Sequence, residues 1–534
     1  MEDKTKEVIN NVVVSSLEET SINKDQPKKK SIKKNYFYNL SYQLFLIIVP
    51  LIVTPYVSRT LTPEGIGQYS FSFSLITYFT LFGALGFGTY GQREIAKHQG
   101  DKLLQSKSFW EINLCRLIPV TLSLIVNIML CIFNVYGIYN DLMWIFNINI
   151  ISLAFDIAFL FQGNEDFKRL VLRNFIIKII TVCSIFIFVK SYDDLKIYTV
   201  INASSVIVSN LIMWMVCKKY LVRVKIYDLK PFKHFKGTIL LFLPTIATAV
   251  YTVLDKTLIG LLIKDTYEVE EEIIVNGVST IKNVTKNVSD LENGYYEQSE
   301  KLIKLAMTVI TAIGTVMIPR NTNEFEKGNK EGVISNIYTA SRIVLLIGIP
   351  MVLGFCAIAS NFVPWFLGNG YEKSILLVRV LSPLIIIIGF SNVIGIQYLV
   401  PSGQDFKLII SLVAGAIINL ILNVFFIKMW WSLGAAIATI IAEFVVTTLM
   451  CLLVKKDIKI YKPIFKSWKY FLAGIVMALC CFFIESKLSP SILHTLIIVI
   501  CGVFVYFIIV LFLRDDLILQ LLKKAFRKKA GELK

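Results

Sequence analysis

The chain has 534 residues, of which 55% are hydrophobic, and it carries a formal net charge of +17 at pH 7. This hydrophobic content, without long polar linkers, excludes a string of soluble domains. The positive charge does not indicate nucleic-acid binding, because no basic stretch is interleaved with stacking aromatic residues.

Apolar stretches recur along the chain from Tyr36 to Leu513. A helix that crosses a bilayer needs roughly 20 mostly apolar residues, and about fourteen stretches meet this criterion. In chain order they lie near 36–58, 67–90, 109–134, 142–161, 172–190, 197–217, 237–263, 297–319, 336–363, 374–400, 407–427, 433–454, 468–486 and 491–513. The sequence therefore predicts an all-α polytopic membrane protein with about fourteen transmembrane helices.

The N-terminal tail, residues 1–35, is polar and lacks the apolar core of a cleaved signal peptide. We expect this tail to be disordered. Basic residues concentrate there, in most even-numbered connectors and in the C-terminal tail 514–534. Because basic connectors remain in the cytoplasm, both termini are predicted to be cytoplasmic. The seventh connector, which carries Lys264, Lys282 and Lys286, and the tenth, with only Lys407, fit this alternation less well.

The nine cysteines lie in or at the edge of predicted spans, and the three histidines are scattered. Neither a disulfide framework nor a metal site is expected from this distribution.

The first and seventh spans share a pattern that indicates an internal repeat. Pro50 and Pro244 lie mid-span, each is followed by a charge, and glycine-tyrosine stretches, Gly65–Tyr69 and Gly294–Gln298, open the next helices. Six helices separate the two copies, so the repeat would be parallel, as in one known class of transporters. The alternative is chance, because prolines are common in membrane helices. The repeat predicts two parallel six-helix halves, 36–217 and 237–454, joined by a basic cytoplasmic linker, 218–236, with two extra helices in 455–513.

Several ionisable residues fall inside the spans, where each costs roughly 2.5–3.5 kcal/mol on insertion scales. They are Arg116, Asp156, Lys178, Asp255, Lys256, Arg342, Arg379 and Glu443, with Arg59, Lys301 and Lys304 nearer the span ends. Cations dominate the set, so a shared cavity would be positive and would suit an anion such as phosphate or carboxylate. The alternative is that they are structural pairs or boundary residues; Asp255 could pair with Lys256, and Arg342 and Arg379 could be interfacial.

The outer connector 264–293 contains a predicted β-hairpin. Ile273–Ile281 alternates around Asn276-Gly277, the dipeptide that type I′ turns favour. This insertion is either a tolerated surface loop or a lid or contact for other assembly proteins.

The segment Pro55–Phe71 reads Pro-Tyr-Val-Ser-Arg-Thr-Leu-Thr-Pro-Glu-Gly-Ile-Gly-Gln-Tyr-Ser-Phe. It resembles the opening signature of Wzx-type polysaccharide flippases, which belong to the multidrug/oligosaccharidyl-lipid/polysaccharide exporter superfamily. Further segments that resemble this family are Gly88–Ala96, Leu254–Gly260, Gly294–Lys301, Ile318–Arg320, Gly395–Gly403 and Gly434–Ala436. The resemblance covers residues 35–455, and the connector 264–293 is longer than the family pattern.

This resemblance implies a 12–14-helix exporter with two six-helix lobes around a central cavity. It also implies a flippase, not an enzyme, that moves polyprenyl-pyrophosphate-linked oligosaccharide from the inner to the outer leaflet of a bacterial cytoplasmic membrane by alternating access. Polysaccharide polymerase and assembly proteins are possible partners. The predicted substrate-binding residues of the cationic cavity are Arg59, Arg116, Lys178, Lys256, Arg342 and Arg379. No cofactor is expected, since the chain has no P-loop, and a proton or sodium gradient would drive transport through Asp156, Asp255 or Glu443.

Three other functions remain open. A multidrug exporter of the same superfamily would favour an acidic cavity, whereas a peptidoglycan lipid flippase would share the basic one. A membrane-embedded polysaccharide polymerase would need catalytic groups in its outer loop, and this loop offers no Asp-x-Asp or histidine pair.

Overall fold

The structure, a computed structural model, describes residues 32–275 and 278–520. The first half of the chain forms α1 (Ile32–Ala84), α2 (Phe87–Lys97), α3 (Lys102–Ile132), α4 (Asn140–Ala154), α5 (Ala158–Gly163), α6 (Phe167–Phe188) and α7 (Leu195–Cys217). The second half begins with α8 (Phe235–Leu262), β1 (Thr266–Val275), β2 (Val278–Asn287), α9 (Val288–Glu326) and α10 (Lys330–Leu367). It continues with α11 (Glu372–Leu381), α12 (Leu384–Ser391), a π-helix (Asn392–Leu399), α13 (Asp405–Leu453), α14 (Tyr461–Lys466), α15 (Trp468–Glu485) and α16 (Ile492–Phe512).

Two long helices are interrupted where two predicted spans meet. Thr62 (φ 58°) interrupts α1 between the first and second predicted spans. Trp431 (φ 53°) interrupts α13 between the eleventh and twelfth. Positive φ angles are uncommon for residues with a side chain, so these positions mark sharp kinks in what is otherwise continuous helix.

Eleven helical segments among the described residues are long and apolar enough to cross a membrane. The protein is therefore a multi-pass helical membrane protein. Two of these segments, Ile48–Lys97 and Asp405–Leu453, contain the kinks described above. The count of fourteen spans is not confirmed by this criterion and stays a prediction.

The two ends of the helical bundle are distinguished by their connectors. We call the end where α8 meets the hairpin β1–β2 and α9 the hairpin end, and the end where α7 leads into α8 the linker end. The sequence predicts that the hairpin end faces outward. The hairpin prediction is confirmed, and the antiparallel pairing runs further than expected, from Thr266 opposite Asn287 to Val275 opposite Val278. The predicted turn, Asn276-Gly277, lies outside the described residues.

Each half of the chain has its own apolar core. The buried residues of the first half form two clusters, one around Phe146 and Ile150 and one around Phe109 and Phe161. The second half has one larger cluster, which runs from Ile259 to Ile518. Among the described buried residues no apolar cluster draws on both halves, although single apolar contacts such as Phe82 with Phe242 join them.

A buried ion pair attaches the last two long helices to the second half. Arg342 of α10 donates to Asp515, which follows α16, with 2.7 Å between Nη2 and Oδ2. The Tyr470 hydroxyl of α15 donates to the other carboxylate oxygen at 2.8 Å. The backbone N–H of Leu517 donates to the same oxygen at 3.0 Å. Asp515 thus joins α10, α15 and the segment after α16.

We predict that Asp515→Asn lowers the Tm of the purified protein by several degrees, because removing one partner of a buried ion pair costs about 3–5 kcal/mol. The matched control is Asp516→Asn. Asp516 is exposed, and its hydrogen bond from exposed Lys466 lowers its pKa from the ordinary value. Exposed pairs contribute little to stability, so the control should keep its Tm. Equal losses in both variants would contradict the anchoring role.

Candidate functional site

Two glycines bring the halves into backbone contact at the hairpin end. A Cβ added to Gly67 would lie 1.7 Å from the carbonyl oxygen of Asp290, and one added to Gly294 would lie 1.8 Å from that of Pro63. In each case the carbonyl belongs to the residue four positions before the partner's glycine. The second arm of α1, which is the part after Thr62, and α9 therefore contact each other reciprocally. Two helices related by a twofold axis would make such a contact. Only residues without a side chain permit this approach.

Polar side chains surround the glycine contact. Lys286 of β2 forms an ion pair with Glu64 at 2.8 Å. Asp290, which is 1% exposed, accepts hydrogen bonds from Tyr139 at 2.7 Å and from Gln68 at 3.3 Å. The hairpin and the first turn of α9 are thus tied to the first half. Asp290 belongs to the connector that the sequence analysis described as either a surface loop or a lid or partner contact, and the structure buries this residue between the halves.

A second set of contacts closes the other side of the hairpin end. Arg59 donates to the carbonyl oxygen of Trp365 near the end of α10. The Tyr371 hydroxyl donates to the carbonyl oxygen of Ser58 at 3.4 Å. Arg59 therefore lies in the closure of the hairpin end, and it is exposed.

A charged cluster lies one to two turns further into the bundle, between the halves. Lys256 of α8 forms ion pairs with Glu297 and, at 3.1 Å, with Glu300 of α9. Lys304 pairs with Glu300 at 2.7 Å. The hydroxyl of Ser70, on the second arm of α1, donates to Glu297 at 3.0 Å. The cluster thus joins both halves just inside the closed end.

Two further lysines make this cluster cationic. Lys301 interacts electrostatically with Glu297 and, repulsively, with Lys178 of α6 and with Lys256. Lys178 and Lys301 are half-buried. Among the described residues no ion pair or hydrogen bond engages either amino group. Four lysines face two glutamates here, so the positive charge is only partly neutralised.

Asp255 lies next to Lys256 in sequence but in a different environment. It is 6% exposed, and its carboxylate accepts hydrogen bonds from the Tyr296 hydroxyl at 2.5 Å and the Thr439 hydroxyl at 2.6 Å. The amides of Asn423 and Asn419 donate to its other oxygen at 2.6 and 3.3 Å. Every one of these donors is neutral. Among the described residues no basic side chain forms an ion pair with Asp255.

Arg116 and Asp156 meet where the fourth predicted span breaks between α4 and α5. Arg116, which is 3% exposed, donates to the carbonyl oxygens of Ala154, at 3.1 Å, and of Asp156. Helix ends leave such carbonyls without partners, and a cation there is favourable. The Asp156 carboxylate accepts from the backbone N–H of Ala158 at 3.0 Å, at the start of α5.

The remaining predicted site residues lie in the second half. Arg379 donates to the Cys356 carbonyl oxygen at 3.0 Å and to the Ser360 hydroxyl at 2.6 Å, which links α11 to α10. Arg342 pairs with Asp515, as described above. Glu443 is half-buried, one turn beyond Thr439 on α13. Of the six predicted cations, the structure brings Lys178 and Lys256 together and places the other four in separate contacts.

The sequence analysis missed the carboxylates of the cluster and the amides around Asp255. The sequence spacing could have indicated both the carboxylates and the amides. Glu297, Glu300, Lys301 and Lys304 follow helical spacing and therefore share one face of α9. Asn419 and Asn423 are four residues apart on an apolar helix, where amides are costly without partners.

Comparison with known proteins is consistent with these features. A family described as "Polysaccharide biosynthesis protein" matches residues 32–325. A putative O-antigen transporter of Escherichia coli (strain K12) is 24% identical over 432 residues, which cover 80% of this chain and 98% of the relative. Among solved structures, "Lipid II flippase MurJ, inward closed conformation" aligns with a TM-score of 0.67 at 16% identity, covering 90% of this chain and 99% of that one. An inward-facing multidrug resistance MATE family transporter of the MOP superfamily aligns with a TM-score of 0.57 at 14% identity, covering 80% and 98%. Both solved structures share the fold of this chain.

We predict that Gly67→Ala keeps the hairpin end from closing, because the new Cβ would overlap the Asp290 carbonyl oxygen. The readout is labelling by a water-soluble maleimide of a cysteine placed at buried Ser70, in a chain whose nine native cysteines are replaced. Labelling should be slow with Gly67 and fast with alanine.

The matched control for this variant is Gly88→Ala, since a Cβ at Gly88 meets nothing within 4 Å. It should leave the labelling rate unchanged. Slow labelling in both variants would show that the glycine contact does not hold the hairpin end closed.

Proposed function

The chain belongs to the family of polysaccharide biosynthesis proteins, and from that membership we propose that it moves polyprenyl-pyrophosphate-linked oligosaccharide units across the bacterial cytoplasmic membrane. It is a flippase of the multidrug/oligosaccharidyl-lipid/polysaccharide exporter superfamily. The lipid-linked oligosaccharide, the bacterial membrane and the outward-facing hairpin end are the proposed parts of this assignment.

The observation that carries the proposal is the lysine excess between the halves. A polyprenyl pyrophosphate bears negative charge at the junction of its sugar and its lipid. Lys178 and Lys301 supply positive charge at this depth from opposite halves. Charge-assisted hydrogen bonds to phosphate are strong in such a partly desolvated place. The prenyl chain would remain in lipid while the sugar crosses between the halves.

The ion pairs of Lys256 suggest how substrate binding would open the hairpin end. Lys256 is shared between Glu297 and Glu300, and Ser70 holds Glu297 from the first half. A pyrophosphate that binds the lysines competes with these carboxylates and so weakens a contact between the halves. A ligand shifts a conformational equilibrium only through such differential interactions. Substrate would enter with the hairpin end closed and favour its opening.

Direct transport is the experiment that tests the proposed function. Purified protein in vesicles should move a lipid-linked oligosaccharide to the leaflet where an added glycosidase can reach it. We predict that Lys178→Gln and Lys301→Gln each raise the half-saturating substrate concentration roughly ten- to hundredfold, since each removes one charged hydrogen bond of about 1.5–3 kcal/mol.

Lys196→Gln is the matched control, because Lys196 is 63% exposed and pairs with equally exposed Asp141. Its transport should equal that of the unmodified protein. An unchanged half-saturating substrate concentration in the Lys178 and Lys301 variants would contradict the proposed substrate site. Transport of a peptidoglycan lipid precursor but of no other lipid-linked glycan would contradict the proposed substrate.

We further propose Asp255 as the ion-coupling residue. A carboxylate at bilayer depth whose hydrogen-bond donors are all neutral has no counter-charge in the protein when it is ionised, and such groups mark ion or proton pathways. Asn423 Oδ1 is buried and has no hydrogen-bond partner. Rotation of this amide would present its oxygen beside Asp255, together with the hydroxyls of Thr439 and Tyr296. That oxygen set suits one monovalent cation, either Na⁺ or a proton.

Among the predicted carboxylates, the geometry favours Asp255 over Asp156, whose side chain contacts the start of α5. We predict that Asp255→Asn removes the dependence of transport on the Na⁺ or proton gradient, while Asp156→Asn retains it. Asparagine is as good as aspartate at a helix start, so the control should fold normally. If transport by the Asp255 variant still depends on the gradient, Asp255 is not the ion-coupling residue.

A further inference from the structure

The linker between the halves forms a fixed strap, residues 218–230, across the linker end of the first half. The backbone N–H of Val222 donates to the Ser106 hydroxyl at 2.8 Å. The Tyr220 hydroxyl donates to Asp166 at 2.6 Å. The backbone N–H of Lys230 donates to Glu111, a fully buried carboxylate of α3, at 2.8 Å. These contacts hold the strap near its start, at Tyr220 and Val222, and at its end, at Lys230.

A groove of about 890 Å³ lies between the strap and the ends of α3 and α7. Its floor is apolar and aromatic, with Trp110 and Leu114 from α3 and Trp214 from α7. The two indole rings lie 6.0 Å apart, and Trp214 Nε1 donates to the Phe155 carbonyl oxygen at 2.8 Å. The floor is therefore held in place by the fold.

Two cations lie at this groove. Lys218 and Arg223 both line it and both are exposed. Among the described residues neither side chain takes part in an ion pair or a hydrogen bond. An apolar groove with unpaired cations at its rim is complementary to a molecule with an apolar body and an anionic head.

The groove opens onto the apolar surface of the spans. Next to it, Leu117 and Ile118 of α3 are 42% and 47% exposed, and Met215 of α7 is 79% exposed. Ile226 and Tyr227 of the strap are 78% and 100% exposed, as expected of residues that lie at a membrane–water boundary. The groove is thus at the level of the lipid headgroups and is continuous with the acyl region.

We propose that this groove binds one anionic phospholipid of the adjacent leaflet. The phosphate lies between Lys218 and Arg223, and one acyl chain lies along Trp110 and Leu114. The bound lipid would hold the strap, which joins the halves, against the membrane. This site is separate from the charged cluster between the halves and does not depend on the proposed substrate.

Native mass spectrometry of the full chain with phosphatidylglycerol or phosphatidylcholine of the same acyl chains tests the proposal. Phosphatidylglycerol should remain bound at low concentration and phosphatidylcholine should not. Basic residues near a membrane surface each contribute about 1 kcal/mol. The double variant Lys218→Gln/Arg223→Gln should therefore bind phosphatidylglycerol roughly thirtyfold more weakly.

The control is Lys225→Gln/Lys236→Gln, which removes the same charge from exposed positions that do not line the groove. It should bind phosphatidylglycerol as the unmodified protein does. A second variant, Leu221→Trp, fills the groove and keeps every charge, so it should also lose the lipid at an unchanged Tm. The proposal is overturned if both charge variants lose the lipid equally, if the filled groove still binds it, or if phosphatidylcholine binds as tightly.

Discussion

An ionisable side chain inside a membrane needs a partner, water or a bound ion, and this constraint organises the polar contacts of the molecule. Arg116 satisfies it locally at a helix break and Arg342 does so at the attachment of the last helices. Lys256 satisfies it between the halves, through carboxylates that a first-half hydroxyl also contacts. Asp255 is left with neutral donors alone. The same physical demand therefore produces structural anchors in some places and the proposed substrate and ion sites in others.

Close glycine contacts as well as charged ones join the halves at the hairpin end. Gly67 and Gly294 allow each helix to contact the carbonyl of the other, which brings the charged cluster of α9 within reach of Ser70. Parallel repeats about an axis along the membrane normal would make such a reciprocal contact, and the repeat itself stays a prediction. Polar contacts that can be replaced by water make such an interface easier to open than a shared apolar core.

Much of the fold could be predicted from the sequence, because span length and hydrophobicity are local properties. The multi-pass class, the β-hairpin and the family follow from residues near one another in the chain. The candidate site was less predictable, since it depends on which helices become neighbours. Arg116 looked like a cavity residue because the break after Ala154, which frees its carbonyl acceptors, could not be seen. Asp290 looked like a loop residue because its partners, Tyr139 and Gln68, come from the other half.

The central claim is that the hairpin end is a closed gate over a lysine-rich site and that it opens during transport. Distance measurement by electron paramagnetic resonance tests it, with spin labels at exposed Asp193 and Asn369, one on each half at the hairpin end. The account predicts a single short distance in the absence of ligand and a second, longer distance when the lipid-linked substrate and the coupling ion are added. One unchanged distance under every condition, in protein that transports the substrate, would contradict it.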